Sequence, residues 1–404
     1  MFAWFRSVYL VCRREFRLVF TDMGVILFFL FLPTVYPIIY TLIYNPEVVR
    51  ETPVAVVDNS RTAASRQLAR SIDALPSARV AGYASSLSEA REWCASHDCY
   101  AVIEIPRDYD RRIGRSEQAV VSFYCDASLL LRYRALLLDL TQLQIAVDGD
   151  LRQQAIDIIG APAYAAMGSS STVGTNPVFI GDPSQGFASF VIPGILMLIL
   201  QQSLILGITM LAGGRAERRR ANGGIDPLGV PASPVATITG RLLCYLLIYL
   251  PMVIYDVLWI PNMFALPDSG SFIDYMLFLL PLLVSSCMLG MTLEVFVTER
   301  ETSMLVIVFT SVVFLFLTGL TWPMYSITGF WRVLASLVPA TWGIQGFVRL
   351  LSDGASLPAV ASPYIHMWLL AALYALTAWL LQRYIAKSYK SYNSYKSYKT
   401  YKNL

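Results

Sequence analysis

Four arginines fall within six residues of the stretch GGRAERRRANGGID (213–226): Arg215, Arg218, Arg219 and Arg220, with Glu217 among them. A second charged stretch, VTERETS (297–303), holds Glu299, Arg300 and Glu301. Mixed charge at this density suits docking on a soluble protein, or simply fixes which way a membrane protein inserts. It does not suit nucleotide hydrolysis by this chain. A P-loop needs a lysine after a glycine-rich turn to hold the β/γ-phosphates, and the first lysine is Lys387. Nucleotide-driven work must therefore come from a partner. Two histidines, His97 and His366, leave little material for Ser-His-Asp hydrolysis or histidine-rich metal sites. His97 sits in CASHDC (94–99), which reads as a surface turn with a disulfide rather than a metal site, and His366 reads as structural. No catalytic, cofactor-binding or metal-ligating residue is assigned, and no nucleic-acid partner is expected.

The elements that carry these charges are mostly membrane spans. Hydrophobic residues make up 56% of the chain and charged ones 15%, with a mean hydropathy of +0.53. A spanning helix needs roughly 20 mainly apolar residues to cross about 30 Å of hydrocarbon. Six stretches qualify: 24–44, 187–212, 242–260, 275–297, 304–322 and 364–386. If the N-terminus is cytoplasmic, that side receives Arg6, Arg13, Arg14, Arg17, the 215–220 cluster, Arg241, Arg300, Arg383 and the tail lysines. The opposite short loops hold only Arg332 and Arg349. The positive-inside rule then puts both termini and the loops 213–236 and 297–303 in the cytoplasm. The glycine pairs flanking the arginines suggest a short charged element able to pivot.

Residues 1–23 form an amphipathic interfacial helix. Phe5, Val8, Tyr9, Cys12, Phe16, Val19 and Phe20 share one face, and Arg6, Arg13, Arg14 and Arg17 lie on the other. Residues 45–186 are long enough for an extracytoplasmic domain. Strands at 53–58, 78–83, 100–106 and 118–126 alternate with helices at 61–75, 86–96 and 129–159, an α/β pattern, before a small-residue linker at 160–186. Cys94, Cys99 and Cys125 lie there, where a disulfide can form; Cys94–Cys99 and Cys99–Cys125 both fit. Residues 323–354 read as short helices dipping into the outer leaflet, and 387–404 as a disordered basic tail near anionic lipid headgroups. Ionisable and amide groups inside spans usually face protein or water. Gln201 and Gln202 lie deep in the second span, where they could line a translocation path or bond between helices. Asp256 and Glu294, nearer helix ends, read best as solvated, with the path as the alternative.

The arrangement resembles the type-2 ABC exporter permeases, specifically the branch with a large domain between the first two spans. TPVAVVDNS (52–60) and YAVIEIPRDYDRRIGR (100–115) resemble the outer-domain pattern, and NPVFIGDPSQGFASFVIPGI (176–195) the entry to the second span. RAERRRANGGIDPLGVPAS (215–233) resembles the charged loop before a helix that touches the ATPase. FLTGLTWPMYSITGFWRVLASLVPATWGIQGFVRL (316–350) resembles the signature around the fifth span. The likeness covers nearly the whole chain apart from the tail. Gly223-Gly224-Ile225-Asp226 departs from the family's usual acidic-basic pairs followed by Gly-Thr.

The resemblance implies a six-helix membrane bundle with an inserted extracytoplasmic α/β domain, in the bacterial inner membrane. It implies a homo- or heterodimer of permeases powered by two cytoplasmic ABC ATPase subunits, which bind the ATP and Mg, and it leaves room for a periplasmic adaptor. The activity implied is outward movement of a substrate, in the manner of multidrug or lipid efflux. Arg215, Glu217, Arg218, Arg219, Arg220, Glu299, Arg300 and Glu301 would be the ATPase-coupling residues. The rival reading is a non-transporting membrane scaffold or sensor whose outer domain binds a ligand or partner.

Overall fold

The structure, a computed structural model, describes residues 2–44, 49–96, 98–115, 117–128, 130–159 and 186–402. It divides into two compact units: Met1–Asn45 with Phe179–Leu404, and Pro46–Val178.

In the inserted unit, β1 (Thr52–Asp58), β2 (Ala78–Tyr83), β3 (Ala101–Ile105) and β4 (Ser122–Cys125) form one sheet ordered β2-β1-β3-β4. β1 runs parallel to β2 and β3, and β4 closes the edge antiparallel to β3, with Ala101 opposite Cys125. Alternation along β1 sends its side chains to both faces. Val54 packs with Ile72, Ile103 and Leu136, whereas Ala55 and Val57 pack with Ala90, Cys99 and Val102. Helices Ala63–Asp73 and Leu130–Ile159 therefore cover one face and Leu87–Ala95 the other. The short helix Tyr109–Gly114 lies within a stretch given no element from sequence.

Among the described residues, the membrane unit carries six helices long and apolar enough to span: Met23–Tyr44, Phe187–Ala221, Pro234–Phe264, Phe272–Phe296, Arg300–Leu317 and Leu357–Tyr384. The second is almost wholly buried, and the expected interfacial helix, Phe2–Thr21, packs mainly on the third. Two spans contain a π-helical turn, Leu27–Phe31 and Tyr255–Trp259. Each is centred four residues before a proline, Pro33 and Pro261. A proline ring clashes with the carbonyl four residues back and cannot donate to it, and one widened turn absorbs both defects. Between the fifth and sixth spans, helices Gly329–Ser336 and Pro339–Ser352 meet at 81°, a bent pair in the segment expected to be re-entrant.

Several boundaries differ from the sequence reading: the third span begins at Pro234 rather than 242, and the fifth runs Arg300–Leu317 rather than 304–322. The second span's helix runs unbroken to Ala221, through Gly213 and Gly214, so the arginine cluster is helical and the loop is only 222–233. Those glycines serve close packing, not a pivot: a Cβ on Gly213 would come within 2.7 Å of the Arg300 amide nitrogen. The third span continues past residue 260 to Phe264, and Ala265, at φ 52°, ends it. The last helix runs Ala361–Lys402, through the tail that was expected to be disordered, and no glycine or proline follows Pro363 to stop it.

Candidate functional site

The arginine-rich end of the membrane unit holds a buried ionic cluster. The interfacial helix buries Val8, Val11, Glu15 and Val19 along one stripe, while Phe5, Tyr9, Phe16 and Phe20 stay exposed. The expected apolar face is thus split between protein and surroundings. The stripe lies on the third span, where Gly240 lets the backbones approach; a Cβ there would sit 2.8 Å from the Val8 carbonyl oxygen. This contact carries Glu15, fully buried, against Arg215 of the second span and Arg241 of the third. Glu294, at the end of the fourth span, faces the same two arginines.

The two carboxylates are held differently. Glu294 accepts from Arg215 Nη2 at 2.6 Å, from Arg241 Nη1 at 2.9 and 3.1 Å, and from Gln382 Nε2 of the last helix at 3.3 Å. Glu15 accepts one hydrogen bond, from the Tyr245 hydroxyl at 3.1 Å. Its contacts with Arg241 Nε at 3.3 Å, Arg215 Nη1 at 3.5 Å and Arg14 Nη1 at 3.7 Å are charge contacts, because Glu15 Oε1, Arg241 Nε and Arg215 Nη1 all lack a hydrogen-bond partner. Burial works against the Glu15 charge, but the guanidiniums of Arg215, Arg241 and Arg14 outweigh it and hold the carboxyl below its usual value. Tyr245 is in turn packed edge-on by Phe29 of the first span, whose ring lies where a Cβ on Gly207 would fall.

A second tier surrounds this core. Gly223 and Gly224, at φ 64° and 99°, end the second helix in a conformation that glycine tolerates, and the chain doubles back to Asp226. Asp226 binds Arg14 at 2.8 Å and Arg218 at 3.0 Å. Its burial is outweighed by the Arg218 hydrogen bond and charge, with Arg14 adding to them, so its carboxyl also lies low. Glu217 accepts from the Arg300 amide at 3.0 Å and so caps the fifth span. Arg300 also reaches Asp22 at 2.7 Å, and Arg220 pairs with Glu299 at 2.7 Å. The two charged stretches are therefore clasped to one another and to the start of the first span. Among the candidate coupling residues, Arg215, Glu217, Arg218, Arg219, Arg220, Glu299 and Arg300 have partners inside the chain. Arg219 is half-buried and Glu301 exposed.

The candidate path residues do not converge. Gln201 accepts from the Ala340 amide at 2.6 Å, near the N-terminus of Pro339–Ser352, whose own N-cap, Val338, has no acceptor side chain. Both amide atoms of Gln202 are buried without a partner. Asp256 is fully buried in the π-helical turn, with both oxygens unpartnered. It lies fifteen residues beyond Arg241, about 22 Å along the helix from the Glu294 cluster. Asp256 and Glu294 were both expected at solvated helix ends. The third span extends two turns past Asp256, and the second and third spans and the last helix close around Glu294, so neither lies at an open helix end.

Glu15, Arg14, Asp22, Tyr245 and Gln382 went unassigned in the sequence reading. The available signal was Glu15 itself, an acid spaced four residues from both Val11 and Val19 on the buried stripe. In the inserted unit, Cys94 Sγ lies 2.8 Å from Cys99 Sγ, while Cys125 packs on the opposite face of the sheet. His97 and nearly all of the 160–186 linker lie outside the described residues.

A search of curated proteins returns no match. The profile of the ABC-2 family transporter protein matches residues 23–380, a range that runs from the first span through the inserted unit into the sixth span. The chain belongs to the ABC-2 transporter family, as a multi-pass membrane subunit.

Proposed function

We propose that the chain is the permease subunit of an ATP-binding-cassette exporter, moving a substrate outward with ATP hydrolysed by a separate cytoplasmic subunit. Permease subunits of this family work with ATP-binding subunits, and the absence of a lysine before Lys387 argues against a P-loop here. The observation that carries the reading is the ionic cluster. It gathers the interfacial helix, the second, third and fourth spans and the last helix at the arginine-rich end, where orientation by positive charge places the cytoplasm. A push on the interfacial helix or on the clasped 217–300 and 220–299 pairs would reach all of those elements through a few contacts. A second permease copy would complete the translocation route, and the inserted domain would face the periplasm, open to an adaptor.

The test is purification from native membranes with partner identification, followed by reconstitution in lipid. The reading requires co-purifying ATPase subunits whose hydrolysis is stimulated in the complex. It also requires that Arg218→Ala, Arg219→Ala and Arg220→Ala together lower ATP-driven export. A stable chain without any ATPase partner, or unchanged export in the correctly inserted triple variant, overturns it.

A further inference from the structure

A cavity of about 690 Å³ opens between the bent helix pair and the last helix, within the size range of small-molecule sites. It is remote from the ionic cluster: His366 in its wall lies sixteen residues before Gln382, about 24 Å along the same helix. Val333 of helix Gly329–Ser336, Leu337 just beyond it, and Leu369 and Leu373 of the last helix give it an apolar wall. Its polar lining includes one permanent cation and no anion. Arg332, His366 and Gln345 line it together with hydroxyl groups, and none of its lining residues is a carboxylate.

Each of these groups is held in place. Arg332 donates from Nε and Nη2 to the Ile327 carbonyl at 3.1 and 2.8 Å, and from Nη2 to the Tyr325 carbonyl at 3.0 Å. These bonds fix the guanidinium plane but neutralise none of its charge, and no carboxylate pairs with it among the described residues. His366 stacks flat on Trp342 at 4.0 Å, and its Nδ1 lies 2.7 Å from the Ser362 carbonyl oxygen, which only accepts. Gln345 Nε2 is buried without a hydrogen-bond partner. A buried donor left unpaired costs free energy that an acceptor would recover. A fixed cation, an unsatisfied donor and an apolar wall in one cavity complement a molecule with an anionic head and an apolar chain.

We propose that this cavity binds a single-chain amphipathic anion, a long-chain carboxylate or phosphate monoester. The head is placed at Arg332 and Gln345, and the chain along Val333, Leu337, Leu369 and Leu373. This goes beyond the permease reading and is tested without transport. The purified chain in lipid nanodiscs is titrated with 9,10-dibromostearate, whose bromines quench tryptophan, and with its uncharged methyl ester. The quenching that disappears in Trp342→Phe reports the cavity and excludes quenching of lipid-facing tryptophans. The acid should saturate and bind at least about fivefold more tightly than the ester, the worth of roughly one exposed ion pair. Arg332→Gln should remove that preference. Gln345→Leu, which leaves the Ile327 and Tyr325 bonds intact, should reduce it, and Leu373→Trp should weaken both signals by crowding the path of the chain. Equal binding of acid and ester, or undiminished Trp342 quenching in Leu373→Trp, overturns the proposal. The ATPase plays no part in this measurement, so its failure would leave the permease reading standing, and the converse also holds.

Discussion

Glu15→Gln removes one charge from a cluster in which Glu15 and Glu294 face Arg215 and Arg241, with Arg14 at its edge. Removing one partner from a buried ion pair costs about 3–5 kcal/mol, because the remaining charge is left uncompensated in a poor solvent. Glu15 sits at the low end of that range. Its arginine contacts, at 3.3–3.7 Å, are not hydrogen bonds, and a glutamine can still accept from Tyr245. We expect about 3 kcal/mol for Glu15→Gln, and about 5 kcal/mol for Glu294→Gln, which weakens arginine bonds of 2.6–3.1 Å. The double variant Glu15→Met with Arg215→Met restores neutrality around Glu294 and Arg241 and should recover most of the loss.

The assay is unfolding in mixed micelles, followed by tryptophan fluorescence at pH 7. The pH dependence has a definite sign. The Glu15 carboxyl is depressed in the folded state, so its stabilisation is complete above the ordinary carboxylate value of about 4.3 and is lost as pH falls through the depressed value. Glu15→Gln should therefore lack part of the acid-side decline seen in the parent. A single substitution costing less than about 0.5 kcal/mol, the range of ordinary surface changes, would refute the buried-cluster argument. So would a double variant no more stable than the worse single one.

Cysteines introduced at Ser88 and Ser269, both exposed, should be labelled from outside intact cells by a membrane-impermeant maleimide, and one at Asn222 should not; labelling at Asn222 would reverse the orientation. Mass spectrometry of unreduced peptides should find Cys94 bonded to Cys99 and Cys125 free, because the sheet separates Cys125 from the other two; a Cys99–Cys125 peptide would contradict this. In the reduced protein, burial pushes the Cys99 thiol up to about 12 and the Cys125 thiol to about 11, so both should alkylate slowly at pH 8. Gly213→Ala should cost about 1–3 kcal/mol by overpacking, since its Cβ would meet the backbone of Glu299 and Arg300 within 2.8 Å. Gly214→Ala meets only the movable Arg300 guanidinium and should be milder in the same thermal unfolding measurement.

The spans and the inserted α/β unit were legible because they rest on local patterns, such as long apolar runs or an alternation like that of PVAVVD. The partnerships of the charges were not. Tyr245 and Glu15 are 230 residues apart, and Arg215 and Glu294 are 79 apart. Nothing local to either stretch records those distances. Hydropathy alone also misled along the interfacial helix, where it grouped Phe5 and Phe16 with Val8 and Val19 although only the valines face protein. The glycines at 213 and 214 suggested a break. Tertiary packing against Arg300 instead keeps them inside a helix whose last turn carries arginines that suit its C-terminal dipole.

The unequal treatment of the two carboxylates bears on where movement enters the bundle. Glu294 is bonded by groups from the second and third spans and the last helix, so displacing it breaks several charge-assisted hydrogen bonds at once. Glu15 is held by charges that fall off gradually with distance and by one hydroxyl. The interfacial helix can therefore shift against the bundle while its carboxylate keeps most of its electrostatic attraction, and the fixed end around Glu294 stays assembled. A partner acting on that helix, or on the Arg14–Asp226 pair that ties it to the loop after the second span, would work against the softer half of the cluster. On this argument Glu15→Asp, which draws the charge back by one methylene, should disturb coupling between hydrolysis and export more than it disturbs stability, whereas Glu294→Asp should do the reverse. Parallel losses of coupling and stability in both variants would show that the cluster is only a structural clamp.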